Sequence, residues 1–314
     1  MTDHISIHFL GTGAAVPSVR RGLPSLAIDH ETGIILCDMG EATQMAIHRA
    51  GLSPSKIHTI MISHLHGDHI FGLPGFITSQ QMMDRSNPLT LIGPPGLQAF
   101  IESIKKTANF DTQYPLYIRE LPEADSSPIQ VGPFTVTTLP LDHRTLCYGY
   151  RFVEAPKPGR LDAEKAEQLG VPHGPLRKEL KLGNPVTVNG KTIHPDELVG
   201  PEQPGRTIAY CTDTRPCDNA INLAQNADVL VHDSTFSHTM TERAHLTFHS
   251  TSVQAAEIAK HANVNTLFLW HLSIRNNETD EAQMLNDART IFPNTRLSHD
   301  YLHYPVARKN QTSL

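Results

Sequence analysis

The sequence predicts an α/β protein in which two β-sheets pack together between outer layers of helices, an αβ/βα four-layer sandwich. In both halves of the chain, short β-branched segments alternate with longer segments of helical composition, and several strands of the first half follow one another directly. Between the halves, residues 156–204 lose this periodicity and accumulate Pro, Gly and alternating charge. We therefore expect one domain formed by residues 1–155 and 205–314, interrupted by an inserted, protruding arm at 156–204.

The first half contains the segments expected for one sheet and its helices. The first predicted strand, residues 5–10, ends in Gly11-Thr12-Gly13, which indicates a tight turn and not a dinucleotide site, because Val16 and Pro17 follow where that motif needs a small residue and a helix. Further strands are predicted at 26–28, 34–38, 57–62, 89–92, 116–121, 129–131, 134–139 and 147–153. Helices are predicted at 41–50, 70–83 and 97–107.

The second half repeats the alternation after the inserted arm. Strands are predicted at 207–211, 229–231 and 266–270, and helices at 217–226, 252–261 and 279–291. Inside the arm, residues 162–169 have helical composition, with Asp162 at the start and Gly170 at the end, and residues 176–182 can form a second short helix. No internal sequence repeat is visible.

Length and composition are those of an ordinary globular protein, with 314 residues, 39% of them hydrophobic and 18% charged. No apolar run approaches the ~20 residues that a membrane helix needs, and no secretory signal is visible. The four cysteines show no metal-site or redox spacing, which is typical of reduced residues in a cytoplasmic protein. The formal net charge of −6 argues mildly against a nucleic-acid partner, although phosphate binding needs only a local basic patch.

The densest chemistry follows the predicted strand 57–62. His64, His66, Asp68 and His69 lie within six residues, in the loop before the next helix. Neutral imidazole and carboxylate are the ligands that zinc prefers. His64 and His66 project to the same side of an extended chain, and Asp68 and His69 can face the same point from the turn that follows. Two converging ligand sets indicate two metal ions.

Other polar residues also follow predicted strands, at the edge where open sheets place their sites. His143 comes after the strand at 134–139, Asp213 after 207–211 and His271 after 266–270. Taken alone, each is more often a capping or solvent-exposed residue than a ligand. His249 likewise reads as a residue that precedes a helix, with Ser250, Thr251 or Ser252 as its N-cap.

These motifs together resemble a known family. The histidine cluster resembles the signature of the metallo-β-lactamase superfold, and the longer string SHLHGDHIFGLPG at 63–75 is similar to ribonuclease Z, the endonuclease that matures the 3′ end of tRNA. The resemblance covers nearly the whole chain, from Phe9 to about Tyr301. Four further motifs carry it: Asp38-Met39-Gly40-Glu41, Thr212-Asp213-Thr214-Arg215-Pro216, His232-Asp233-Ser234-Thr235 and Leu269-Trp270-His271.

The resemblance implies a metallo-β-lactamase fold and a site with two Zn2+ ions per subunit. One zinc would be bound by His64, His66 and His143, and the other by Asp68, His69 and His271, with Asp213 bridging the two. Asp68 would also accept the proton of the attacking water, and His249 would be the general acid. Asp233 is the candidate orienting acid for His249, and it stands where the family carries glutamate.

The implied activity is cleavage of the 3′ trailer from precursor tRNA, by attack of a metal-activated water on a phosphodiester, leaving a 3′-hydroxyl. The resemblance further implies that residues 1–155 and 205–314 form the catalytic domain. It also implies a homodimer in which the flexible arm of one subunit grips RNA cleaved by the other. Arg177, Lys178 and Lys181 are the candidate RNA-binding residues of the arm. In the loop 17–22, Arg21 matches the family's Pro-x-Lys-x-Arg-Asn pattern, whereas Val19 and Gly22 do not.

Two other readings remain open. A small-molecule phosphodiesterase or sulfatase of the same superfold would use the same metals but would not need a basic arm. A non-enzymatic RNA-binding or structural protein would not need a complete ligand set.

Overall fold

Two seven-stranded sheets form the framework of the protein. A computed structural model describes residues 4–123 and 127–308 of the chain. The described strands are β1 (Ile5–Gly11), β2 (Gly13–Ala14), β3 (Ser25–His30), β4 (Gly33–Cys37), β5 (Ile57–Met61), β6 (Leu89–Gly93), β7 (Leu116–Glu120), β8 (Ile129–Val131), β9 (Phe134–Pro140), β10 (Tyr148–Glu154), β11 (Val186–Val188), β12 (Lys191–Ile193), β13 (Thr207–Cys211), β14 (Val229–Asp233), β15 (Thr266–Trp270), β16 (Leu272–Ser273), β17 (Thr295–Leu297) and β18 (His303–Pro305). The described α-helices are α1 (Thr43–Arg49), α2 (Gly67–Ile70), α3 (Leu73–Met82), α4 (Leu97–Thr107), α5 (Ala163–Gln168), α6 (Pro175–Lys181), α7 (Asp218–Ala224), α8 (Thr241–Thr247), α9 (Ser252–His261) and α10 (Glu278–Ile291).

The first sheet has the strand order β18-β1-β3-β4-β5-β6-β7. Its meander β1-β3-β4 is antiparallel, whereas β4, β5, β6 and β7 run parallel to one another. The second sheet has the order β17-β15-β14-β13-β10-β9-β8, with β13, β14, β15 and β17 parallel. Each sheet therefore combines an antiparallel part with a parallel run whose crossovers are helices.

The two sheets share an apolar core. Phe9 of the first sheet packs against Phe268 and Trp270 of the second, with ring centroids 4.8 and 5.6 Å apart. Tyr150 and Tyr210 are fully buried in the same cluster. Burial of one such large side chain contributes about 1.5–3 kcal/mol to stability. Two further apolar clusters join the outer faces of the sheets to helices, so the predicted four layers are confirmed.

The parallel runs position the polar residues. Strands β13, β14 and β15 have their carboxyl ends on one edge of the second sheet, because neighbouring parallel strands end on the same edge. The carboxyl end of β5 in the first sheet meets this edge, since His64 Nε2 lies 3.6 Å from Asp213 Oδ2. The residues that follow or end these strands are His64, Asp213, Asp233 and His271.

Residues 154–206, together with Arg308, form a second compact unit. The segment 154–206 begins and ends within two residues of the bounds predicted for the arm, 156–204. The unit contains α5, α6, β11 and β12 and a small apolar core of its own. Asp162 caps α5 as predicted, its carboxylate accepting from Lys165 N. Residues 1–3 and 309–314, which the prediction assigned to the catalytic domain, lie outside the described part of the chain.

Three details of the predicted secondary structure differ from the structure. The helix predicted at 70–83 begins only at Leu73, because Ile70 ends a separate short helix, α2, and Phe71 and Gly72 join the two. Asp68 and His69, expected in a turn, lie in the one-turn helix α2. Helix α8 was missed, since it buries only Ala244 and has no apolar periodicity to reveal it.

Candidate metal centre and catalytic site

The ligands predicted from the sequence meet at the carboxyl ends of the strands. His64 and His66 follow β5, Asp68 and His69 lie in α2, and His143 follows β9. Asp213 lies two residues after the end of β13, and His271 directly follows β15. The structure therefore brings together all seven residues, although they come from four separate segments of the chain.

One group of ring nitrogens faces one oxygen of Asp213. His64 Nε2 lies 2.9 Å from His66 Nδ1, and His143 Nε2 lies 3.4 Å from the same nitrogen. Asp213 Oδ2 lies 3.6 Å from His64 Nε2 and 3.9 Å from His143 Nε2. Three imidazoles and one carboxylate oxygen thus surround a common point, as in a tetrahedral metal site.

A second group faces the other oxygen of the same carboxylate. His271 Nε2 and His69 Nε2 lie 3.2 and 3.4 Å from Asp213 Oδ1. Asp68 Oδ2 lies 3.6 Å from His69 Nε2 and 3.7 Å from His271 Nε2. Because each Asp213 oxygen faces a different group, this residue stands between two adjacent candidate ion sites.

The buried polar atoms fit a cation. His69 Nε2 and His271 Nε2 are buried, and among the described residues neither has a hydrogen-bond partner, even though Asp213 Oδ1 is close to both. Ligand atoms that point at a shared ion lie close together in this way without bonding to each other.

The electrostatics agree with a cation. Burial lowers the pKa of His64 and of His143, which favours the neutral imidazole that a metal needs. At His69, burial also lowers the pKa, but the carboxylates of Asp213 and Asp38 outweigh burial and raise it well above its ordinary value. The site thus favours a positive charge beside His69.

The second ring nitrogen of each of four candidate ligands is held by the protein. His69 Nδ1 donates to Asp38 Oδ2 at 2.8 Å, and His143 Nδ1 donates to the Phe248 carbonyl at 3.0 Å. His271 Nδ1 lies 2.9 Å from Thr235 Oγ1, and His64 Nδ1 lies 3.0 Å from Ser63 Oγ. Such outer contacts fix ring orientation and tautomer in metal sites.

Asp38 organises this outer layer. It is fully buried and accepts from Ser63 N, Ser63 Oγ, Tyr210 Oη and His69 at 2.7–2.8 Å. Glu41, which belongs to the same motif, is exposed and contacts no candidate ligand in the described part of the chain, so of these two carboxylates only Asp38 supports the site.

Three residues of the site adopt the left-handed backbone conformation. Asp38, Asp213 and His271 have φ angles of 59°, 46° and 60°. Non-glycine residues rarely occupy this region, and Asp and His tolerate it better than most. The strained backbone turns each side chain off the end of its strand toward the shared centre, a distortion typical of functional sites.

His249 lies beside the two ligand groups with a carboxylate behind it. Asp233 Oδ2 is 2.7 Å from His249 Nδ1, and the His249 ring stacks on His271 at 5.2 Å. Burial lowers the pKa of His249, but Asp233 outweighs burial and raises it to about 9, so the imidazole carries a proton at neutral pH.

Several supporting groups could not be identified in the sequence. Ala15 N donates to Asp68 Oδ2 at 2.9 Å, and the Phe248 carbonyl holds His143. Both are backbone groups, which carry no residue-type signal. Thr235, which contacts Asp233, His249 and His271, lies inside a quoted motif, but its role depends on the fold.

The candidate RNA-binding residues lie in the second unit. Arg177 is only 8% exposed, and its guanidinium donates to the Val171 carbonyl through Nε and Nη2 at 3.1 and 2.9 Å. Its expected contact with RNA is therefore corrected to a structural role inside that unit. Lys178 and Lys181, in the last turn of α6, are exposed.

Arg21 and Val19 differ sharply in their surroundings. Arg21 is buried, with Nε and Nη2 donating to the two oxygens of Glu281 at 3.0 and 2.9 Å. Val19 is fully exposed at the tip of the same loop.

No helix among the described residues is long and apolar enough to span a membrane.

Comparison with known proteins agrees with this site. A family model described as anti-Pycsar protein Apyc1 matches residues 5–145. Ribonuclease Z of Limosilactobacillus reuteri (strain DSM 20016) is 43% identical over 301 residues, which cover 95% of this chain and 97% of that protein. Ribonuclease Z of Methanosarcina acetivorans is 38% identical over 303 residues, covering 96% of this chain and 98% of that protein.

Solved structures show the same fold. The short form of human tRNase Z matches with a TM-score of 0.70 and 25% identity, covering 96% of this chain and 99% of that chain. YhfI from Bacillus subtilis, a metallo-β-lactamase fold protein, matches with a TM-score of 0.68 and 19% identity, covering 96% and 100%. The His/Asp clusters on this fold make a metal ion the cofactor of the site. The chain has the metallo-β-lactamase fold and belongs to the ribonuclease Z family.

Proposed function

We propose that this protein is the endoribonuclease that removes the 3′ trailer from precursor tRNA, leaving a tRNA 3′-hydroxyl. The observation that carries the proposal is the position of the Asp233–His249 pair beside two ligand groups that share Asp213. Near-full-length identity of about 40% to proteins named ribonuclease Z gives the substrate class.

The proposed cofactor is a pair of zinc ions, since three imidazoles and one carboxylate form one ligand group, two imidazoles and two carboxylates form the other, and zinc accepts both ligand types. His64, His66 and His143 would hold one ion and Asp68, His69 and His271 the other, with one Asp213 oxygen directed to each. Bound zinc would supply positive charge for the phosphate and lower the pKa of a water molecule.

The protein's own groups would then move two protons. As water attacks phosphorus and the bond to the 3′ oxygen breaks, Asp68 accepts the proton of the water. Ala15 N, which donates to Asp68 Oδ2 at 2.9 Å, holds that carboxylate in place. His249 donates its proton to the leaving 3′ oxygen, and Asp233 stabilises the imidazolium form before this transfer.

Substrate binding is proposed to use the second unit. Lys178 and Lys181 are exposed on one helix and would contact RNA phosphates, whereas Arg177 stabilises the unit from within. A homodimer, with one subunit's arm gripping RNA cut by the other, is proposed from the family resemblance. A cytoplasmic location is proposed from the four free cysteines.

A precursor tRNA with a labelled 3′ extension tests the function directly. Purified protein with zinc is expected to release the trailer in one endonucleolytic cut, leaving a tRNA whose 3′ end accepts a ligated oligonucleotide. EDTA and an unstructured RNA of equal length are the controls. Hydrolysis of bis(p-nitrophenyl) phosphate without any cut in the precursor would favour the small-molecule phosphodiesterase.

A further inference from the structure

Two exposed arginines near His249 have no carboxylate partner in the described part of the chain. Arg144 directly follows His143, and Arg243 lies in α8, the helix that leads to His249. Neither forms an ion pair within 4.0 Å with any described Asp or Glu. Their charge is therefore available to a ligand.

Each guanidinium is placed over an aromatic ring that adjoins His249. Arg144 Cζ lies 5.8 Å from the ring centroid of Phe248, and Arg243 Cζ lies 5.9 Å from that of Phe236. Phe248 immediately precedes His249, and the Phe236 ring lies 6.2 Å from the His249 ring. Stacking on a ring restricts an arginine side chain. Arg144 Nη2 also donates to the Leu246 carbonyl at 3.4 Å, which holds its guanidinium in place but does not neutralise its charge.

The Phe248 ring is itself fixed from another direction. Arg215 Cζ lies 4.0 Å from its centroid, and Arg215 donates from Nε and Nη2 to the two oxygens of Asp142, each at 2.9 Å. The Arg215 charge is thus compensated within the protein. Arg144, over the same ring, keeps an uncompensated charge.

The chemistry of these two groups suits phosphodiester oxygens. A strand of RNA cut at His249 continues beyond the scissile phosphate, and each neighbouring phosphate carries one negative charge. A planar guanidinium matches two phosphate oxygens at once, and a stacked one loses less entropy on binding.

We propose that Arg144 and Arg243 bind the RNA phosphates next to the scissile phosphate and so hold the strand in line across His249. The inference rests on the proposed endoribonuclease function and assigns these arginines to substrate positioning. These contacts would favour RNA over a small ester, because a small ester has no neighbouring phosphate for the two arginines to bind.

The test compares Arg144→Gln, Arg243→Gln and the double variant with Arg296→Gln. Arg296 is a matched control, because it is exposed and its guanidinium lies 5.2 Å from the Tyr304 ring in another part of the molecule. Fluorescence anisotropy of the zinc-loaded protein with a labelled 3′-extended precursor tRNA that carries a non-hydrolysable linkage at the cleavage site measures binding without cleavage. The affinity is measured across a salt series, and hydrolysis of bis(p-nitrophenyl) phosphate is measured with zinc.

We expect each single variant to bind RNA roughly five- to tenfold more weakly at 0.1 M salt, with the salt slope reduced by about 0.7–0.9 per lost phosphate contact. The double variant should lose about twice that slope, its KM for precursor cleavage should rise, and its hydrolysis of the small ester should stay within about twofold of wild type. Arg144→Lys and Arg243→Lys should restore most of the salt slope.

Three results would overturn the inference: a salt slope of the double variant equal to that of Arg296→Gln, loss of small-ester hydrolysis in parallel with RNA cleavage, or no recovery with lysine. Failure of the proposed function would look different. Wild-type protein would then leave the precursor uncut, whatever the variants do to its binding.

Discussion

Asp233 Oδ2 and His249 Nδ1 are 2.7 Å apart, although the carboxylate is one methylene shorter than the glutamate of the related motif. The other contacts of Asp233 explain how this shorter side chain reaches the His249 ring. Thr235 N and Thr235 Oγ1 donate to Oδ1 at 2.9 and 2.8 Å, and Thr214 N donates to Oδ2 at 3.0 Å. A fully buried carboxylate held by these donors cannot rotate away from the imidazole.

The first prediction concerns this pair. His249→Ala should lower kcat for RNA cleavage by roughly 10²–10⁴, the usual contribution of a general acid, because the leaving 3′ oxygen loses its proton donor. Metal content should not change, since the ligand groups are complete without His249. Single-turnover cleavage together with elemental analysis checks both statements. Loss of one zinc in the variant would make His249 a ligand instead.

The second prediction concerns Asp68. Asp68→Ala should abolish hydrolysis of both RNA and bis(p-nitrophenyl) phosphate, because a metal ligand and the acceptor of the water's proton disappear together. Glu41→Ala is the control for the small ester, since Glu41 is an exposed carboxylate that contacts no candidate ligand among the described residues. Retention of a tenth or more of the wild-type rate in Asp68→Ala would refute this double role.

The sequence itself indicates a metal site only at His64, His66, Asp68 and His69, because four ligand-type side chains lie within six residues after an apolar strand. His143, Asp213 and His271 are candidates only through the family resemblance, and the fold then places them beside the first four. The supporting layer could not be predicted. The contacts of Thr235 and of the Phe248 carbonyl depend on φ angles and on strand order, which no single segment encodes.

The arm shows the limit of counting charges. In the sequence, Arg177, Lys178 and Lys181 each contribute one positive charge and cannot be told apart. In the helix α6, however, only some of these residues lie on the buried face. Arg177 and Leu180 are three residues apart, and both face the core of the second unit. Composition gives the number of basic residues, whereas the helical phase decides which of them can contact RNA.

The third prediction concerns the cofactor. Gently purified protein should contain two zinc ions per chain by elemental analysis, because Asp213 directs one oxygen to each ligand group. Their removal by EDTA should lower Tm by about 5–10 °C, since bound metal stabilises only the folded state. Zinc should restore Tm and calcium should not, because calcium prefers oxygen ligands. A reproducible metal content near zero in active protein would contradict the assignment.

The fourth prediction concerns the exposed lysines of α6. Lys178→Gln with Lys181→Gln should raise KM for precursor tRNA and flatten its salt dependence, because two phosphate contacts are lost. Hydrolysis of the small ester should not change. Lys106→Gln with Lys260→Gln is the matched control, since these lysines are also exposed in the last turns of helices.

The same surface can be tested by deletion. Replacing residues 158–184 with a Gly/Ser linker should raise KM for RNA strongly, but it also removes part of the apolar core formed with Val186, Ile193 and Leu198. The lysine pair is therefore the sharper variant. RNA cleavage that is unchanged in both the deletion and the lysine variant would favour a small-molecule substrate.

The fifth prediction concerns the loop that carries Ala15. Arg21 is 5% exposed, and Glu281 is its carboxylate partner, with Arg20 Nη2 also donating to Glu281 Oε1 at 2.7 Å. Glu281→Ala removes the carboxylate that pairs with both Nε and Nη2 of the buried Arg21 guanidinium and leaves Asp300 as a more distant counter-charge. Breaking such a buried pair should cost about 3 kcal/mol in the free energy of unfolding. Denaturant unfolding of the variant measures this loss.

A double variant separates charge from packing in that loop. Arg21→Met with Glu281→Leu removes both charges and fills similar volume, so it should be distinctly more stable than Glu281→Ala alone. Asp111→Ala removes one partner of the exposed Lys105–Asp111 pair and should leave the unfolding midpoint unchanged. Because Ala15 N holds Asp68, a displaced loop should also slow hydrolysis of the small ester in Glu281→Ala. Equal stability of Glu281→Ala and wild type would show that Thr12 Oγ1 and the Ser298 carbonyl satisfy Arg21 without the carboxylate.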